Sequence, residues 1–362
     1  MRGELSINLS ALCANYTAID ALSNINCQTA AVVKANAYGL GASIVAPALY
    51  RAGARCFFVA MVDEGVELRG VLPADAQIFI LNGFWPARDD DYIMYHLTPV
   101  LASMYQVDQY RVLAVECKRV LPAILHFDIG MNRLGLSRDD VKFLSGDASL
   151  LQGLGILYVM GHLSSSEECD NQINEKQRLY FDEVSAYFPN VKKCLSNSGG
   201  VFMGDAFHYD LVRPGVALYG GCAHAGMREI LRDVVSLSVP ILQVRDAESG
   251  GYIGYNETYC IDKKTKLIIL SIGYADGFLR SLGNVGSLYL RGSALPIRGR
   301  VSMDLVICDL DNLDEENYPK EGDMVEVLGA YQTIDDLACD AGTISYEVLT
   351  NLGNRYKRLY ID

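Results

Sequence analysis

A (β/α)8 TIM barrel followed by a mostly antiparallel β domain is the α/β fold class that the sequence predicts, on three observations. Short apolar runs alternate with helical-period segments from residue 10 to about 232. These runs are continuous rather than alternating, as parallel strands are when both faces of the sheet are covered. Beyond that point strand-length runs follow one another across Gly-rich turns, with long helical segments largely gone.

The elements follow in order. A first strand over Glu4–Leu9 leads into an amphipathic helix, Ser10–Leu22. Eight strands at βα spacing come next: Ala30–Val33, Cys56–Val59, Gln77–Leu81, Leu97–Leu101, Ala123–Asp128, Ile156–His162, Lys193–Leu195 and Tyr209–Val212. The pattern changes near Gly220–Arg232. Strands are then expected over Val234–Val244, Leu267–Ile272, Gly286–Leu290, Leu295–Ile297, Leu305–Leu310 and Met324–Val327, and helices over Thr333–Cys339 and Ser345–Leu352. The domains are therefore expected at 10–232 and at 233–362, the latter joined by residues 1–9.

Composition narrows the function. Half of the residues are hydrophobic and 21 % are charged, the balance of a globular chain. A net charge of −13 argues against nucleic acid as a partner. The ten cysteines include no C-x-x-C pair and there are only five histidines, which suits buried free thiols in a reducing cytosol and disfavours a metal cluster. Met1 to Ser6 lacks the apolar core of a signal peptide, and the apolar stretch from Leu150 to Met160 is too short and Gly-rich to span a bilayer. A soluble chain is expected.

Chemistry in such a barrel sits at the C-terminal ends of the strands. The polar residues at those ends are Lys34 and Tyr38, Asp128 through Arg133, His162, Asn197 and Ser198, and Arg213. Lys34 ends an apolar run in Val33-Lys-Ala-Asn-Ala-Tyr-Gly39, where poor solvation lowers an amine's pKa; a rim lysine reaching solvent is the alternative. Tyr38, Gly39 and Gly41 are expected to open a helix. Ser196-Asn-Ser-Gly-Gly200 puts a hydroxyl and free N–H groups at a helix start, which suits either a phosphate or a simple N-cap. Arg213-Pro-Gly-Val216 supplies a second such loop at the next strand end, at the usual phosphate position of barrel enzymes. Arg133, on the Gly-rich turn Gly130-Met-Asn-Arg-Leu-Gly135, suits a carboxylate or simply faces solvent. Tyr274 lies in Gly273-Tyr-Ala-Asp-Gly277, a tight turn that exposes a phenol. A lysine able to form a Schiff base, phosphate loops and a strand-end arginine together point to pyridoxal 5'-phosphate.

These motifs, with Arg213-Pro-Gly-Val-Ala-Leu-Tyr-Gly220 and Ser345-Tyr-Glu347, occur in an order that resembles the alanine racemases, pyridoxal-phosphate enzymes of fold type III, from Leu5 to Leu359. The resemblance implies a two-base racemase. Lys34 would hold the cofactor and serve one face of the substrate α-carbon; Tyr274, from the partner subunit of a homodimer, would serve the other. Arg213 would face the pyridine nitrogen and, always protonated, keep it unprotonated. The phosphate would lie on Tyr38, Ser198, Tyr346 and the backbone of Gly215 and Val216, with Asn197 beside it. His162 would stack near the ring, and Arg133 with the backbone of Met303 would take the substrate carboxylate.

The sequence departs from this family at three places. His126 stands where many members carry a carbamylated lysine, so that a bound anion or another side chain would have to orient Arg133. Leu40 replaces a frequent histidine and Ser302 a frequent cysteine. The implied activity is interconversion of L- and D-alanine for peptidoglycan precursors in the cytoplasm. The alternative is a serine racemase, the catalytic part of a vancomycin-resistance membrane protein; Tyr346 favours alanine, because a smaller residue there would make room for a hydroxymethyl group. A decarboxylase of the same fold type would carry another partner, often an acid, in place of Arg213. A non-catalytic carrier of the cofactor would lack the β domain.

Overall fold

The structure is a computed structural model that describes residues 2–223 and 225–362. It divides into two compact units. One comprises Cys13–Leu218 with Cys222–Leu231, and the other Met1–Leu12, Tyr219–Gly221 and Arg232–Asp362.

The first unit is the barrel. Nine parallel strand segments follow one another in the order Gln28–Thr29, Leu211–Val212, Lys192–Cys194, Leu154–Met160, Leu121–His126, Leu97–Leu101, Gln77–Ile80, Cys56–Val59 and Ala31–Val32. The two ends of this list are one stave interrupted at Ala30. Gln28 and Thr29 pair with Leu211 and Val212, while Ala31 and Val32 pair with Phe57 and Phe58. The Ala30 N–H donates to the Val212 carbonyl at 2.9 Å, so eight staves close on themselves. Side chains of Cys56–Val59 and Leu97–Leu101 are buried throughout, as strands covered on both faces must be. The outer helices begin at ordinary N-caps: Ser103 accepts from the Gln106 N–H, and Ser137 with Asp140 forms a capping box.

Strand boundaries differ from expectation where local hydrogen bonding overrides the apolar pattern. The fifth and sixth staves start and stop two residues early, leaving Asp128 and His162 just past the strand ends. Tyr209 is not in the last stave, because its φ of 52° places it in a turn. The first strand of the chain stops at Asn8, whose Oδ1 accepts the Ala11 N–H at 2.8 Å and starts the helix Leu9–Leu22.

The second unit is built on one long strand, Val235–Ala247. Its first half pairs antiparallel with Glu4–Asn8 and Met324–Leu328, its second half with Thr265–Leu270. Its pairing register with Thr265–Leu270 shifts between Ile241 and Gln243, the kind of bulge that lets a strand turn from one sheet face to another. Ser287–Leu290 and Ser293–Pro296 extend one edge and Val306–Asp309 pairs with Thr265–Leu270. The single parallel pairing joins Glu4–Asn8 to Lys357–Ile361, a strand that the sequence pattern did not announce. Helices Ile334–Ala341 and Ser345–Asn351 follow the strands as expected. No helix among the described residues is long and apolar enough to cross a membrane.

Candidate active site

The expected helix opens at Gly41, as Ala42–Arg51, but between it and Lys34 at the end of the first stave the chain makes a turn of the opposite hand. Ala35, Asn36, Ala37 and Tyr38 all have φ of 53–54°, and Gly39 has 83°. An L-residue in this region costs about 1–2 kcal/mol through its Cβ, so four in succession need outside support. The support is Glu64. Its carboxylate accepts the N–H of Ala35 at 2.5 Å, of Ala60 at 2.7 Å and of Met61 at 3.0 Å. Asn36 adds a second brace, its Oδ1 accepting the Ala42 N–H at 2.8 Å where the right-handed helix Ala42–Arg51 begins. Nothing in the local sequence announces Glu64, which lies on the following helix.

Burial lowers the pKa of Lys34, the positive charges of Arg133 and Arg213 lower it further, and Glu64 opposes them. The same environment acts on two histidines. Burial, then Arg213 and Arg133, push His126 down to about 3. His162 falls well below the ordinary imidazole value, again through burial first and then Arg213. Both rings are therefore neutral at physiological pH. The Nδ1 of His126 is buried and has no hydrogen-bond partner in the protein. His126, Asp128, Ile129, Met131, Arg133 and His162 line one small cleft, with Arg133 itself exposed on its turn.

The barrel also holds a polar cradle. The Tyr38 hydroxyl approaches Gly215 so closely that a Cβ there would lie 2.2 Å from Oη. Ser198 Oγ accepts the N–H of Gly215 at 2.9 Å and of Ala217 at 3.3 Å, so its own O–H is left to donate elsewhere. Val216 opens the short 3-10 turn Val216–Tyr219. Asn197 is a cap, its Oδ1 accepting the Gly200 N–H at 3.2 Å and its Nδ2 donating to the Leu163 carbonyl at 3.3 Å.

Arg213 is buried. Its Nε–H donates to Cys194 Sγ at 2.9 Å, and Nη2 donates to the carbonyls of Gly161 at 2.7 Å and Leu195 at 3.1 Å. The guanidinium also lies 5.8 Å from the centre of the Phe58 ring.

The barrel thus brings together Lys34, Tyr38, Arg133, His162, Asn197, Ser198, Arg213, Gly215 and Val216. Tyr274, Met303 and Tyr346 belong to the other unit. Tyr274 starts a 3-10 turn whose N–H groups are tied to the neighbouring loop: Tyr274 donates to the Ser302 carbonyl and Ala275 to that of Met303. Tyr346 is half-buried at the start of the helix Ser345–Asn351. Sequence reasoning passed over a second tyrosine of this unit. Tyr255 is 69 % exposed, against 45 % for Tyr274. It sits between Gly254, at φ 74°, and Asn256 and Glu257, at 59° and 53°. A Gly and an Asn flanking an aromatic residue were the available signal, since both tolerate the left-handed region.

The chain compares closely with known proteins. The family model described as alanine racemase, N-terminal domain, matches residues 7–223, and the one described as alanine racemase, C-terminal domain, matches residues 234–360. The chain belongs to the alanine racemase family. Among its relatives in that family, a catabolic alanine racemase of Agrobacterium fabrum is 44 % identical over 99 % of this chain and 92 % of its own length. An alanine racemase of Rickettsia akari is 42 % identical, with 99 % of each chain covered. The crystal structure of alanine racemase from Bartonella henselae with covalently bound pyridoxal phosphate has a TM-score of 0.96, at 39 % identity and with both chains fully covered. The barrel followed by a mostly antiparallel sheet is the alanine racemase fold.

Proposed function

We propose that the chain is a pyridoxal-phosphate-dependent racemase that interconverts L- and D-alanine, drawn on for peptidoglycan precursors. The observation that carries this reading is Lys34, its pKa lowered by burial, on the same barrel as a cradle of Tyr38, Ser198 and Gly215 that a Cβ would fill. The residues fit the cofactor: a Schiff-base lysine, hydroxyls and backbone for the phosphate, and Arg213 for the pyridine nitrogen. When bound, the cofactor withdraws electrons from the substrate α-carbon and so acidifies its proton.

The protein's own part is positioning and proton transfer. Lys34, its pKa lowered by poor solvation and by two arginines, takes or returns the α-proton on one face. Arg133 presents its fork to the substrate carboxylate. His162, neutral, packs near the ring without adding charge. Arg213 holds a fixed positive charge against the pyridine nitrogen, which keeps that atom unprotonated and restrains side reactions.

Racemisation needs a second base on the opposite face, here a tyrosine of the β unit supplied by the partner subunit of a homodimer. Tyr274 is one assignment. The greater exposure and the left-handed flanks of Tyr255 favour it as the second, since an exposed side chain on strained backbone is a common mark of a functional position. Serine is expected to be handled less well than alanine, as a tyrosine at position 346 implies by resemblance. The site of action is the cytoplasm.

An absorbance spectrum of purified protein supplied with pyridoxal phosphate tests the core reading. A Schiff-base band that disappears in Lys34→Ala, with loss of racemisation, is the expected result; a protein that takes up no cofactor refutes it. Tyr274→Phe and Tyr255→Phe then separate the bases. The variant lacking the true base raises the α-deuterium isotope effect on kcat/KM for one alanine enantiomer only. Measuring kcat/KM for L-alanine and L-serine settles the substrate, and a serine preference overturns the alanine assignment.

A further inference from the structure

We propose that Cys194 is a positioning residue for Arg213, holding the guanidinium by one edge through its thiol without offsetting the arginine's charge. The inference rests on the reading of Arg213 as the partner of the pyridine nitrogen. Buried arginines ordinarily lie against carboxylates, and Arg213 makes no ion pair among the described residues. Its acceptors are instead a thiol and two backbone carbonyls, none of which bears a charge.

This choice of partners has two effects. Three hydrogen bonds from Nε and Nη2, one to the end of the sixth stave and two to the end of the seventh, fix the plane of the fork. The remaining nitrogen, Nη1, makes no hydrogen bond of this kind among the described residues and is the group left for a ligand. The positive charge also stays whole. A carboxylate at position 194 would share it, and a pyridine nitrogen opposite a half-neutralised arginine would take up a proton more readily. Cys194 is fully buried, and burial pushes its thiol pKa up while Arg213 opposes, so the sulfur stays protonated and neutral. The thiol also cannot be reached by solvent oxidants, which makes it a durable acceptor.

The test uses the holoenzyme with Cys194→Ala, Cys194→Ser and Cys194→Asp, and Arg213→Gln as the reference. Four quantities are read: cofactor content, the absorbance spectrum of the bound cofactor, kcat for racemisation, and pyruvate released per turnover as the amino group of alanine passes to the cofactor. Cys194→Asp is expected to shift the spectrum in the same direction as Arg213→Gln, to lower kcat at least about tenfold, and to raise the pyruvate fraction by a similar factor. Cys194→Ala shows a smaller change in the same direction, and Cys194→Ser, which keeps an uncharged acceptor, remains within about twofold of the native enzyme. If Cys194→Asp fails to fold, the Ala and Ser variants carry the comparison. Folded, cofactor-loaded Cys194→Ala with native spectrum, kcat and pyruvate fraction overturns the proposal. If Arg213→Gln itself leaves spectrum and pyruvate fraction unchanged, the reading of Arg213 fails, and the role of Cys194 fails with it.

Discussion

Replacing His126 by glutamine should make the protein markedly less sensitive to acid. The imidazole is buried, its Nδ1 has no partner among the described residues, and two arginines oppose its charge, so its pKa drops from the ordinary imidazole value of 6.5 to about 3. Below pH 6.5 the unfolded chain therefore protonates this histidine while the folded one does not. The unfolded state binds more protons, and the free energy of unfolding falls as pH falls. Above the unfolded pKa both forms are neutral and nothing is lost. At about 1.36 kcal/mol per unit, the full displacement amounts to about 5 kcal/mol, of which about 3 kcal/mol is already lost at pH ~4.5. Glutamine keeps hydrogen-bonding capacity and does not titrate. Urea unfolding of the native and His126→Gln holoenzymes at pH ~7.5, ~6 and ~4.5 measures the difference directly. The native protein should lose about 3 kcal/mol more than the variant across that range; equal losses would refute the argument, because Lys34 and His162 contribute alike to both.

Three further outcomes follow from the geometry. Glu64→Ala strips the acceptor from three N–H groups around the left-handed turn, and thermal melting with a pyridoxal-phosphate titration should show about 2 kcal/mol less stability and weaker uptake of the cofactor. Gly215→Ala drives a methyl into the space 2.2 Å from the Tyr38 hydroxyl. Tyr38 is buried, so its ring must shift to make room, and on titration with pyridoxal phosphate the affinity should fall about tenfold or more, or about 1.4 kcal/mol. Gly277→Ala places a Cβ 1.8 Å from the Asn351 carbonyl at a φ of +89°, with no flexible neighbour to yield. A loss of more than about 2 kcal/mol is expected on chemical denaturation, and a native-like midpoint would contradict it.

The barrel was readable because its strands are short, apolar throughout and evenly spaced, a pattern few other folds produce. What escaped was whatever depends on distant partners. Nothing in Val33-Lys-Ala-Asn-Ala-Tyr announces a left-handed turn, which is braced by Glu64, 29 residues further on. The early end of the fifth stave follows from pairing with the sixth rather than from composition. Lys357–Ile361 carries two charged residues and is half-exposed, so no apolar run marks it, yet it completes a sheet. The motif residues of the barrel were legible because strand ends are where that fold displays polar side chains. The proposed second base was less so, because Tyr255 and Tyr274, both exposed, each follow a glycine in a short turn.

The pairing of Glu4–Asn8 with Lys357–Ile361 has a consequence for synthesis. Lys357 and Glu4, joined by a 3.0 Å ion pair, are 353 residues apart in the chain. At ~5–20 residues per second, the strand Glu4–Asn8 waits on the order of 20 to 70 seconds after its own synthesis for Lys357–Ile361 to exist. During that interval its edge offers unpaired N–H and C=O groups to any other nascent chain. Polysomes, where many copies sit side by side in this half-made state, are thus the setting in which this fold is most exposed to pairing with the wrong molecule.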